Sequence, residues 1–177
     1  MAGLYNFIHS FTSDLARPNR FEVFLNLPPS ISQAASGSFG INPEELRYRC
    51  EVAQLPGRTL DTVEQKTYGP IEKFPNLTTY TDIDLTFIVD DYMNVKEVFD
   101  LWLEFINYKG NNNFYYKSEY AADIKIAQYT VANELAYSVR LIDAFPISMN
   151  QMDLDWSSDG YHKLNVTFAY TYWDRVY

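Results

Sequence analysis

Two histidines, His9 and His162, are the only side chains whose ordinary pKa suits general-base work near neutral pH, and Cys50 is the only thiol. Neither histidine has a matched nucleophile or a Gly-x-Ser-x-Gly elbow nearby in the chain. His9 falls in an N-terminal helical pattern, and His162 stands beside a turn, where solvated histidines are common. Cys50 lies on an alternating stretch and reads as a packed apolar side chain. Asp153, Asp155 and Asp159 are spaced somewhat like a calcium loop. Such a loop needs oxygen ligands and then a glycine where this chain has Ser157 and Ser158, and a closing glutamate where it has Leu164. A solvated turn is the simpler reading. Asp82 and Asp84, with Asp90 and Asp91 close by, read as exposed acids beside a turn. Phe114-Tyr115-Tyr116 and Tyr170 with Tyr172 have ring faces for stacking on sugars or bases, but packing claims most such rings. The inventory predicts no enzyme, no cofactor and no metal site.

The 177 residues carry 14 basic and 23 acidic side chains, a net charge of −9. No cluster of Lys and Arg is present to neutralise phosphates, which argues against tight nucleic-acid binding. Apolar residues at 47% and aromatics at 17% predict a folded chain rich in strands and large buried or interfacial surfaces. A lone cysteine excludes an intrachain disulfide. No apolar run approaches the ~20 residues of a membrane helix, and the N-terminus shows no secretory signal, so synthesis and folding in a cytosol are expected.

The elements that must position these residues follow from periodicity. Tyr161 to Trp173 alternates, with Leu164, Val166, Phe168, Tyr170 and Tyr172 on one face and Lys163, Asn165, Thr167, Ala169 and Thr171 on the other. That is a long half-buried strand. Met152–Trp156 alternates as well, and residues 157–160 supply turn chemistry, so a terminal hairpin is predicted. Further strands are expected over 20–27, 46–53, 81–89, 123–130 and 135–143. Val95, Val98, Phe99, Trp102, Phe105 and Ile106 make one helical stripe, introduced by an Asn94/Glu97 capping box and ended by Gly110. Residues 1–15 read as an N-terminal arm or short amphipathic helix, and 28–45 as a surface loop. Residues 55–80, with poor alternation and several prolines, read as a protruding hairpin or loop. The whole is one mainly β domain over 1–177, an antiparallel sandwich or barrel with one packed helix.

Three stretches in order resemble a family. Ala16-Arg17-Pro18-Asn19-Arg20-Phe21 is similar to the Ala-Arg-Pro-Asn-x-Phe entry of tail tube proteins from contractile-tail bacteriophages. Cys50 leading to Leu55-Pro56-Gly57 resembles a strand of that family that ends in a small residue, Leu and Pro. Leu154-Asp155-Trp156-Ser157-Ser158 and the closing Tyr172-Trp173 resemble its Leu-Asp-Trp-Asp-Ser and terminal Tyr-Trp. The chain departs from the family in its 30–45 segment, which is longer than in compact members.

The resemblance implies a structural subunit of a virion, made in the host cytoplasm. Hexameric rings would stack into a tube inside a contractile sheath, with each subunit giving strands to a shared inner β-barrel. The implied partners are further copies of the chain, the sheath, the baseplate and tail-terminator proteins, with double-stranded DNA passing through unbound and no membrane. The 55–80 excursion cannot easily serve its own subunit's core, so Leu55, Pro56, Gly57, Arg58 and Tyr68 are the expected inter-subunit contacts. The polar face Lys163, Asn165, Thr167, Ala169 and Thr171 is the expected lumen lining, because small neutral side chains narrow a bore least. A tube subunit of a phage-derived injection particle, a baseplate tube initiator and a carbohydrate-binding β-sandwich are the alternatives.

Overall fold

The structure, a computed structural model, describes residues 7, 15–38, 44–66, 68–110, 112–157 and 159–176. Apart from Phe7 and Leu15, the expected N-terminal helix lies outside these residues. The elements in chain order are β1 (Phe21–Leu25), α1 (Pro29–Ser38), α2 (Glu45–Arg49), β2 (Cys50–Ala53), β3 (Thr59–Gln65), β4 (Glu72–Thr79), β5 (Ile83–Ile88) and α3 (Asn94–Ile106). They continue with β6 (Asn107–Tyr108), β7 (Asn113–Phe114), α4 (Lys117–Tyr120), β8 (Ala122–Tyr129), β9 (Leu135–Met149), β10 (Lys163–Ala169) and β11 (Tyr172–Arg175).

The main sheet has seven antiparallel strands in the order β1-β8-β9-β10-β5-β2, with β11 also on β9. Its spine is β9, 15 residues long, which serves two layers. Its first half pairs with β8 and β11; its second half, Phe145–Met149, pairs with β10. Asp143 sits at the corner with φ 55, and the register against β8 shifts there. A strand that changes layers needs such a bend. The inner faces meet in one core: Val23, Ile124, Val139 and Leu141 from one layer, Leu85, Phe87, Leu164, Val166 and Phe168 from the other. Helix α3 covers this second layer with Val95, Val98, Phe99, Trp102 and Ile106. Phe99 touches Phe87 and Phe168 with ring centroids 5.0 and 6.1 Å apart, and the Trp102 indole N–H donates to the Tyr120 carbonyl at 2.8 Å.

Several expectations are corrected. The terminal strand is two segments, β10 and β11, which follow β9 around its corner. The break at Tyr170-Thr171 reverses the facing: Trp173 packs against the core, whereas Tyr172 is exposed. A one-residue slip moves every later side chain to the other face. The expected Met152–Trp156 strand does not form, because β9 runs on through Pro146 to Met149 and takes the place beside β10. Pro146 is tolerated because it adjoins a bulge, where a missing ladder N–H costs least.

The 28–45 stretch is not all surface loop. Pro29 opens α1, a position where proline loses no helical hydrogen bond, and Ile31 and Ala35, four apart, are buried. Residues 46–49 are helical, leaving β2 only Cys50–Ala53. Long-range ion pairs hold this turn: Arg47 to Glu22 at 2.7 Å and Arg49 to Asp90 at 3.2 Å. Asn94 does not cap α3; its amide donates to Asp90 at 3.0 Å, and left-handed Met93 (φ 58) starts the helix. The helix ends at Ile106 rather than Gly110, which turns the short β6–β7 hairpin. A Cβ on Gly110 would lie 2.5 Å from the Tyr108 ring.

Candidate assembly interface

The second layer, β2-β5-β10 and the far half of β9, has one face on the core and one face bare. Alternation places Asp84, Thr86 and the exposed Ile88 of β5 beside Thr167, Asn165 and Lys163 of β10 on the bare face, which is polar apart from Ile88. They are cross-linked there: the Thr167 hydroxyl donates to Asp84 at 2.7 Å and the Thr86 hydroxyl to the Asn165 side-chain oxygen Oδ1 at 3.2 Å. The Asn165 backbone N–H donates to the Asn150 side chain at 2.7 Å. At the rim, Lys163 donates to Glu51 at 2.8 Å and the Tyr161 hydroxyl donates to the same carboxylate at 3.2 Å. These bonds, chiefly that from Lys163, hold the Glu51 carboxyl below its ordinary pKa, and the Glu51 bond raises that of Lys163. The face is thus neutral to acidic, with its lysine charge matched. Lys163, Asn165, Thr167 and Ala169 lie together on this layer. Thr171 lies beyond the corner, bonded to Lys117 and, at 3.4 Å, to Asp143.

Among the described residues the layer also has two open edges: strand β2 pairs only with β5, and Phe145–Met149 only with β10. Each edge carries an exposed apolar side chain, Val52 on one and Ile147 on the other. An open edge is a row of unpaired N–H and C=O groups that another chain can complete.

Between β2 and β5 the chain leaves the body as the β3–β4 hairpin. Every residue of β3 and all of β4 but Thr78 are exposed. The register places Val63 opposite Phe74 and Asp61 opposite Leu77, so Val63, Phe74 and Leu77 share one face of it. A two-stranded hairpin with no core of its own is marginal in water. Of the expected contact residues, Leu55, Gly57 and Arg58 are exposed at the hairpin's root, with Pro56 half-buried, and Tyr68 projects from its tip. The Gly57 carbonyl accepts from the Trp173 indole at 3.2 Å, which anchors the root to β11.

The groups with chemical potential are placed otherwise. Burial pushes the Cys50 thiol up to about 12. Asp155 accepts from the Ser157 N–H and hydroxyl, both at 3.0 Å, closing a tight turn. Among the described residues no three His, Cys, Asp or Glu side chains gather as a metal site. Tyr115 stacks on Phe105, with centroids 4.9 Å apart. One network was invisible in the sequence: Glu22 accepts from Arg47 and Tyr129, both at 2.7 Å, and Arg47 lies over the Phe24 ring. It joins α2 to β1 and β8.

The chain matches the model of the phage tail tube protein family over residues 16–176. No curated protein matches it. Among solved structures it is similar to a chain in the sheath/tube terminator of PVC, an extracellular contractile injection system, in its extended state. The identity is 19% and the TM-score 0.66, over 94% of this chain and 99% of that one. A chain of the sheath-tube complex of the same system shares 20% identity at a TM-score of 0.63, over 93% and 95%. A chain of the tube-terminating cap of the anti-feeding prophage shares 19% at 0.64, over 93% of both. The likeness of these structures lies in the fold; the family match extends over nearly the whole described chain, and the protein belongs to the phage tail tube protein family.

Proposed function

We propose that this tail tube subunit closes into hexameric rings by pairing the open β2 edge of one copy with the Phe145–Met149 edge of the next. The carrying observation is a four-stranded layer with one bare polar face and two unpaired edges, each bearing an exposed apolar side chain. Six such layers make about 24 strands; at ~4.8 Å spacing and ~40° tilt the ring is roughly 45–50 Å across its backbone. The Lys163, Asn165, Thr167 and Ala169 face then lines the bore, and Thr171 sits near its rim. With its lysine paired to Glu51, that face offers a passing phosphate no free anchor. The hairpin root at Leu55–Arg58 and its tip at Tyr68 reach neighbouring copies. Stacked rings form the conduit for DNA, as a structural part without catalysis, within a sheath and between a baseplate and a terminator. The similar structures described above as sheath-tube and terminator assemblies support the sheath and terminator as partners. Two of those assemblies are injection systems, which also supports a second reading, a tube in an injection particle; assaying purified particles for packaged DNA separates the two.

Ring closure is tested by a Val52→Cys/Ile147→Cys variant. The half-buried Cys50 thiol is pushed up to about 12 and stays protonated near neutral pH, and the single variants Val52→Cys and Ile147→Cys are the controls for its involvement. Oxidation of assembled protein should give a covalent ladder ending at the hexamer. Assembled protein that yields no ladder would place the seam elsewhere.

A further inference from the structure

The strand directions in the second layer separate two exposed apolar features. Residues 50, 88, 149 and 163 lie at one end of its strands, and residues 53, 83, 145 and 169 at the other. The hairpin leaves after Ala53 and returns at Ile83, so it projects from the second end. The connection from Met149 to Lys163 crosses the first end, about 20 Å away along β5. This connection presents Trp156 at 107% exposure and Leu154 at 86%. Asp155 accepts both bonds from Ser157, which closes the turn beside Trp156. A large aromatic exposed in water at a turn is an anchor waiting for a pocket.

From this arrangement we infer that the Leu154–Trp156 turn of one ring seats against the Val63, Phe74 and Leu77 face of the hairpin reaching from the next ring. The inference rests on the stacked-ring reading and names the axial contact within it. Both surfaces belong to this chain, both are apolar and exposed, and they face opposite ways along the strand axis. A head-to-tail contact between different surfaces leaves each end able to accept another copy, and so builds an open filament. The hairpin's own charges balance, Arg58, Lys66 and Lys73 against Asp61, Glu64 and Glu72, with Lys73 paired to Glu64, so apolar area carries the contact.

The test uses full-length protein. Trp156 lies outside the core, so Trp156→Ala should keep the fold and the six-step ladder of the ring-seam cysteines. The concentration needed for tubes should rise by about tenfold or more, the effect of losing one central aromatic anchor. A Phe74→Cys/Trp156→Cys variant, too far apart within one subunit to react, should on oxidation of assembled tubes give a ladder that runs past six subunits. Tubes of normal concentration dependence from Trp156→Ala, or tubes without axial crosslinks, would overturn the inference and assign the turn to another partner. Failure of the ring-seam ladder in assembled protein would instead strike the ring reading itself.

Discussion

Two parts of this chain use the same alternating code with opposite results. In β5 and β10 every second side chain is buried, and Phe87, Leu164, Val166 and Phe168 are fully enclosed under α3. In the β3–β4 hairpin Val63, Phe74 and Leu77 share one face and remain exposed. The alternation is similar; only the cover differs. Apolar residues on a strand face with nothing above them are the mark of a surface completed by another molecule. The bare polar face of the second layer is the contrasting case, since its groups bond one another and need no cover.

That contrast is broken first at Trp102. It is fully enclosed, stacks near Phe99 and bonds the Tyr120 carbonyl, so Trp102→Ala should cost about 3–5 kcal/mol through lost burial and a cavity. Chemical denaturation of the monomer measures it, and an unchanged midpoint would show that α3 is not core. Phe74→Ala makes the opposite expectation: the monomer's stability should move by no more than about 0.5 kcal/mol. Replacing Thr59–Thr79 by a short Gly-Ser link should leave a cooperatively folding body with normal circular dichroism and no tubes. Tubes of normal length from that variant would remove the hairpin from the interface.

The polar face is sharpened by charge. Asn165→Lys with Thr167→Lys repeats two cations around every ring, although Asp84 lies within reach of the second. Assembled particles should release DNA more slowly at low salt, with the defect fading as salt rises, because each neutralised phosphate adds counterion release. Normal release at low salt would turn this face away from the bore. The smallest effect concerns the Glu22–Arg47 pair. Its hydrogen bond to Arg47 holds the Glu22 carboxyl below its ordinary value. The pair's contribution is therefore present above the unfolded pKa of about 4.3 and is lost as pH falls through the lowered native value. Arg47→Ala should flatten that acid limb in urea titrations; an identical limb would show that the pair adds nothing to stability.

The elements legible in the sequence were those that bury a regular stripe: β5, α3 and the inward side chains of β10. Helix α1 was hidden because its buried side is little more than Ile31 and Ala35 in a run of Ser and Ala. Residues 46–49 mimic a strand, since Leu46, Tyr48 and Cys50 alternate with polar neighbours. What decides for a helical turn is Arg47 and Arg49 finding Glu22 and Asp90, partners remote in the chain. The corner at Asp143 likewise carried no local signal strong enough to predict the reversed facing of Tyr172 and Trp173. The polar face could be read by alternation, but its open edges could not. Those depend on which strands sit beside β5 and β10, a matter of pairing between residues as distant as Cys50 and Phe87.

The central claim, that the open layer of one subunit is completed by the next, is met most directly by cryo-electron microscopy of the purified protein at high concentration. The expected result is six-fold rings, single or stacked, whose inner wall continues from β2 of one subunit into Phe145–Met149 of its neighbour. Rings joined through other strands, or a protein that stays monomeric with both edges uncovered at every concentration, would contradict it.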